Sequence, residues 1–114
     1  MIKIYKFDYD MMEASVKFEV DTEKFTPQLA NDTLTFFLWD YDKNGDPVDE
    51  AVRKYALRAI IESTLHDHNT EGVIADFNDG EGFYPIDGSC GIKLLHVEGY
   101  TFDENKLEVK VLEK

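Results

Sequence analysis

A chain of 114 residues has room for one two-layer core and not for two independent ones, so a single domain over 1–114 is expected. Apolar residues at 43% and aromatics at 13% suffice for a packed core, and apolar runs such as 36–39 are far too short to cross a membrane. The 24 acidic residues outnumber the 12 basic ones and leave a net charge of −12, a field that repels nucleic acid and anionic membranes and favours basic partners.

The opening "MIKIYKFDYD" alternates in polarity and lacks the continuous apolar segment of a secretory leader. A single cysteine, Cys90, admits neither an intramolecular disulfide nor a multi-cysteine zinc site, which fits a reducing cytoplasm. Ile2 and Ile4 alternate with Lys3, Tyr5, Phe7 and Tyr9, and Val16, Phe18 and Val20 alternate with Ser15, Lys17 and Glu19. This period of two predicts strands over 2–9 and 14–20, joined by a tight turn around 10–12.

Thr26 is placed to cap a helix, with Pro27 at its first position, where a missing N–H costs nothing. Leu29, Thr33, Phe36 and Phe37 would form its inner face, over about 27–40. A second helix starts at Asp46-Pro47, with Asp49 and Glu50 in the first turn where the macrodipole favours them. Val48, Val52, Tyr55, Ala56, Ala59, Ile60 and Ser63 recur at helical spacing, and Leu57, Ile61 and Leu65 widen that stripe toward a fully covered helix. It should end near His68 and Asn69.

Residues 70–91 are rich in Gly and Asp and read as a long loop, in which only "VIADF" has the pattern of a short strand or a single helical turn. Extended chain is expected over 92–97 and 100–102, then a turn at "DENK", then a last strand through Leu107, Val109 and Val111. The expected fold is α+β: a two-layer sandwich of an antiparallel sheet of about four strands with two helices on one face, in the order ββααββ.

Four candidate sites emerge. Asp40, Asp42, Asn44 and Asp46 lie in an acidic loop whose first half follows the calcium loop of an EF-hand, with Gly45 at the sharp turn. The second half departs from it, since Pro47 stands at position eight and Ala51 at position twelve, so a loop with a helix cap is the stronger reading and weak calcium binding the other. His66 and His68 are two apart, a poor spacing for one metal on a helix, and His96 sits on a separate strand. Ser89 and Cys90 in "DGSCG" lack the nucleophile-elbow spacing, and the acids upstream disfavour a thiolate, so a turn into the strand at Ile92 is the better reading.

The fourth candidate is a surface. Between Arg58 and Lys93 there is no Lys or Arg, while Glu62, Asp67, Glu71, Asp76, Asp79, Glu81 and Asp87 fall in that window. Acidity of this kind commonly serves solubility; its functional reading is a docking face for something basic. Trp39, Tyr41, Phe83 and Tyr84 stand beside these and other acids, either completing the core or serving as interface anchors.

At "FFLWDYD", the second helix and "EGFYPIDGSCGIKLLHVEGYTFDENKLEVKV" the chain resembles a small bacterial and phage-associated family, domain of unknown function 2528. The matching features are an aromatic-rich first helix, an Asp-Gly-Ser-x-Gly-Ile turn at Asp87 to Ile92, and the acidic "FDE" of Phe102 to Glu104. The resemblance spans most of the chain and implies no activity or catalytic residue. It implies a mobile-element setting, in which an inhibitory or accessory binding protein is expected before a metabolic enzyme. The expected function is therefore a small acidic, non-catalytic interaction module that binds a basic surface of a host protein, with a cation-binding regulatory domain as the alternative.

Overall fold

The computed structural model describes residues 1–9, 14–37, 41–66, 69–80, 82–99 and 108–113. β1 (Ile2–Tyr9) pairs antiparallel with β2 (Ala14–Asp21) in a register running from Ile2 opposite Asp21 to Tyr9 opposite Ala14. β3 (Ile92–Glu98) pairs antiparallel along the other side of β2, giving the order β1-β2-β3. Ala14, Val16, Phe18 and Val20 are buried, so this face of β2 looks inward. Opposed residues share a face, which brings Tyr5 and Phe7 of β1 and Ile92 and Leu94 of β3 to the same side. A register shift between Lys17 and Phe18 leaves Leu95 without an opposite residue and returns Val97 to the inner face.

Among the described residues three helices cover that face. α1 (Pro27–Phe37) is capped by Thr26, whose hydroxyl accepts the Leu29 N–H at 3.4 Å. Its buried stripe is Ala30, Thr33 and Leu34; Phe36, expected inside, is exposed because it lies off that stripe. Residues 38–40 of the expected helix lie outside the described residues. α2 (Pro47–His66) buries the expected stripe from Val48 to Ser63 and adds Ala51, while Leu57, Ile61 and Leu65 face solvent rather than completing a covered helix.

α3 (Thr70–Asp79) occupies the segment expected to be loop. Asn69, expected to stop α2, instead caps α3: its side chain accepts the Gly72 N–H at 2.9 Å. Val73 and Phe77, four apart, bury the one apolar edge that the helix has. This short pattern has too little periodicity to announce a helix; packing against α2 and β3 selects it.

The structure is thus α+β, but with three strands and three helices among the described residues, in the order ββαααβ rather than four and two. The expected turn at 10–12 and the extended piece at 100–102 lie outside the described residues. Residues 108–113 alternate as a strand should, yet they are exposed and belong to no sheet. Alternation supplies a face for burial, whereas a strand also needs an open edge to pair with.

The core closes around Tyr55 of α2. Its ring meets Phe25 edge-on at 5.7 Å, Phe77 of α3 in a stack at 5.9 Å and Phe83 edge-on at 4.8 Å. Its hydroxyl accepts the Tyr84 N–H at 2.8 Å and is bonded to Thr33 Oγ1 of α1 at 3.2 Å. Burial pushes its pKa from 10.0 up to about 12, outweighing the two hydrogen bonds, which act the other way. A buried Gly91 carries the chain from the 86–90 turn into β3 at φ +92°, where a Cβ would stand 2.5 Å from the Phe25 nitrogen.

Tyr55→Phe should cost about 1–3 kcal/mol in urea unfolding, because it leaves the Tyr84 N–H without its acceptor. The neutral phenol is the folded form, so its stabilisation is complete below pH 10 and lost as pH rises toward 12. Urea titrations across that window should show the loss in the native chain and a smaller one in Tyr55→Phe, where among the described residues the other raised phenols, Tyr5 and Tyr84, remain. Gly91→Ala should lower stability by at least ~1–2 kcal/mol from the left-handed backbone alone, read as a fall in the urea midpoint.

Candidate interaction surface

The residues singled out in the sequence do not gather in one place. Phe83 is packed between Phe37, Phe77 and Tyr55, with ring centroids within 5.0 Å, so it serves the core. Tyr84 is held by its backbone to Tyr55, and its hydroxyl donates to Asp32 of α1 at 3.0 Å. Burial, then the Asp32 carboxylate, raises its pKa. Tyr41 lines a separate cleft of about 500 Å³, with Phe7 and Tyr9 of β1 and Leu57 and Ile60 of α2. Lys43 sits 5.9 Å from its ring centroid. Trp39, Asp40 and Glu81 lie outside the described residues.

The acids divide in the same way. Asp76 stands at a small cavity between α2 and α3 that also holds Arg58 and Glu62, and these two form an ion pair at 2.7 Å. The base-free stretch of sequence is thus approached by a base in space. Asp87 lies at the outer edge of β3, bridged to Lys93, where the Ser89 N–H donates to it at 2.9 Å. Hydrogen bonds from Ser89 hold its carboxyl below the ordinary value.

α3 is acidic throughout. Glu71, Asp76 and Asp79 are its only charged residues, Glu71 and Asp79 are exposed, and no base occupies its last turn. Glu71 suits the positive end of the helix. Asp79 does not suit the negative end, where an exposed acid costs about 0.3–1 kcal/mol.

The calcium-like loop is engaged in local structure. Asp42 accepts the Asn44 N–H at 3.0 Å through its side chain and the Gly45 N–H at 3.1 Å through its carbonyl. Asp46 accepts the Val48 N–H at 2.8 Å and caps α2. Asn44 is exposed in the turn. Among the described residues no three His, Cys, Asp or Glu side chains approach closely enough to hold a metal ion. His68 lies outside the described residues, and His96 faces away from the helices, 3.3 Å from Glu98. Cys90 is half-buried in the turn that precedes β3.

The open side of the sheet carries a feature missed in the sequence. Register places Lys6 opposite Lys17 and Lys17 opposite His96, a row of basic groups across all three strands. The signal was the alternation itself, because Lys6 and Lys17 occupy the positions out of phase with the apolar face. Among the described residues no helix is long and apolar enough to cross a membrane.

The Asp87-Gly88-Ser89-x-Gly91-Ile92 turn and the α2 stripe fall inside a family match over residues 15–109. The chain belongs to the family described as Protein of unknown function (DUF2528). It is 30% identical over 118 residues to Protein ea10 of Escherichia phage lambda, covering 96% of both chains. The same identity and coverage hold for the Lambda prophage-derived protein ea10 of Escherichia coli O6:H1 strain CFT073. No solved structure matches the chain at a significant level. The family setting is therefore that of a phage and a prophage, as the resemblance implied.

Asp46→Ala should lower stability by about 0.5–2 kcal/mol through loss of the α2 cap, measured by urea unfolding.

Proposed function

We propose that this chain is a small acidic, non-catalytic interaction module of phage or mobile-element origin that binds a basic, nucleic-acid-binding surface of a host protein. The observation that carries the reading is the charge of α3, whose charged residues are all acidic and whose Asp79 is exposed in the last turn against the helix dipole. Net charge of −12 supplies long-range attraction to a basic partner, and the acids on α3 supply a local focus. Nucleic acid itself is not the ligand in this reading, because the field of the whole chain repels phosphate. The phage and prophage relatives support an accessory role.

A cation-regulated loop at Asp42, Asn44 and Asp46 is supported less well. Both carboxylates already accept a backbone N–H, and their geometry serves a turn and a cap.

The test is affinity capture of host proteins at low and then raised salt. The screening length falls from about 10 Å at 0.1 M to about 3 Å at 1 M, so a basic partner should be retained at the first and released at the second. Lys replacement of Asp76, Asp79 and Asp87 should abolish capture while the fold persists by circular dichroism. Asp79→Asn by itself should raise stability by about 0.3–1 kcal/mol while weakening capture. Capture that is indifferent to salt and to these substitutions overturns the reading.

A further inference from the structure

The two edges of the sheet are not alike. Along β3, the Leu94 N–H donates to the Ile86 carbonyl at 2.9 Å, the Gly88 N–H donates to the Ile92 carbonyl at 3.0 Å, and the Val97 N–H reaches Thr70 Oγ1 at 3.3 Å. That edge is already occupied by the segment before it and by α3. β1 is eight residues long, and among the described residues nothing but β2 pairs with its backbone from Ile2 to Phe7. Ile2 and Ile4 are 56% and 53% exposed along it. It has neither proline nor bulge, and of the usual protections of an edge it carries only charged side chains, Lys3, Lys6 and Asp8, which leave its backbone groups open to a strand of matching charge.

The same chain holds an unpaired segment of strand character. Residues 108–113, "EVKVLE", alternate over their first four positions, and Val109, Val111 and Leu112 are 88%, 83% and 78% exposed. Such a segment gains nothing from solvent and matches the free edge in length.

We infer that the β1 edge is a docking site for residues 108–113 of a second copy of this chain, the two copies exchanging segments across a two-fold axis. An antiparallel register that sets Glu108 opposite Lys6 also sets Val109 opposite Tyr5, Lys110 opposite Ile4, Val111 opposite Lys3 and Leu112 opposite Ile2. It joins one opposite-charge pair, one β-branched–aromatic pair and one aliphatic pair, with no like charges opposed. Each copy then carries a four-stranded sheet in which the incoming segment covers the β1 edge, and reciprocal exchange closes the assembly at two. The inference does not depend on the acidic face of α3.

The eight residues 100–107 reach at most ~26–29 Å. Both β1 and β3 run antiparallel to β2, so they end at the same side of the sheet, about 14 Å from β3 to a strand beyond β1. Closure on the chain's own edge is therefore within reach, and the experiment must separate it from exchange.

Sedimentation velocity of the full chain over a concentration series should show a dimer. Removal of residues 108–114 should leave a folded monomer, since the side chains of 108–113 are exposed and contribute nothing to the buried core. Lys6→Glu should weaken the dimer on the order of tenfold, because two such pairs form in each dimer, and adding Glu108→Lys to the same chain should restore it. A full chain that stays monomeric at millimolar concentration, with or without amide protection over 108–113, overturns the inference, as does a dimer that survives the deletion or a double variant that shows no restoration.

Discussion

Tyr55 is the constraint on which the rest of the fold depends. Its ring is the meeting point of Phe25, which precedes α1, Phe77 of α3, and Phe83 in the connection to β3. A tyrosine fits this position because it offers a large rigid surface and one polar end. That end is buried and must be satisfied, and the Tyr84 N–H and Thr33 hydroxyl satisfy it. One side chain thereby holds α1, α3 and the 82–86 connection to α2. The placement of Tyr84 and the packing of Phe83 follow from it, which removes both from the set of free surface aromatics.

The electrostatics follow from where that core leaves the acids. α3 buries only Val73 and Phe77, so its remaining faces carry Glu71, Asp76 and Asp79 without a compensating base on the helix. Arg58 reaches the neighbourhood of Asp76 from α2 and also pairs with Glu62. The open side of the sheet gathers Lys6, Lys17 and His96 instead. These groups lie on the side of the sheet away from the helices, and the acid that the helix dipole disfavours, Asp79, remains exposed.

The two sheet edges show how one fold can both protect and expose backbone. The 86–88 segment and Thr70 cover β3 because the turn containing Gly88 and Gly91 folds the chain back along it. Among the described residues no segment other than β2 pairs with the backbone of β1 from Ile2 to Phe7, so that outer edge stays open. An alternating segment later in the chain and an open edge earlier in it are complementary by the ordinary rules of strand pairing.

Local pattern by itself determined β1, β2, β3, the caps at Thr26 and Asp46 and the buried stripe of α2, because each rests on side-chain periodicity or on a cap that acts within a few residues. Family membership was legible in the same way, through the turn from Asp87 to Ile92 and its flanking elements. α3 was not legible, since Val73 and Phe77 are too few to declare a period and only packing against α2 and β3 makes the segment helical. The candidate surface was legible as a list of acids and aromatics but not as a place, because sequence distance does not say that Phe83 turns into the core, that Arg58 approaches Asp76, or that Asp87 lies beside Lys93. Whether 108–113 forms a strand was also beyond the sequence: alternation is a property of the segment, whereas pairing requires an edge that only the tertiary structure leaves open or closes.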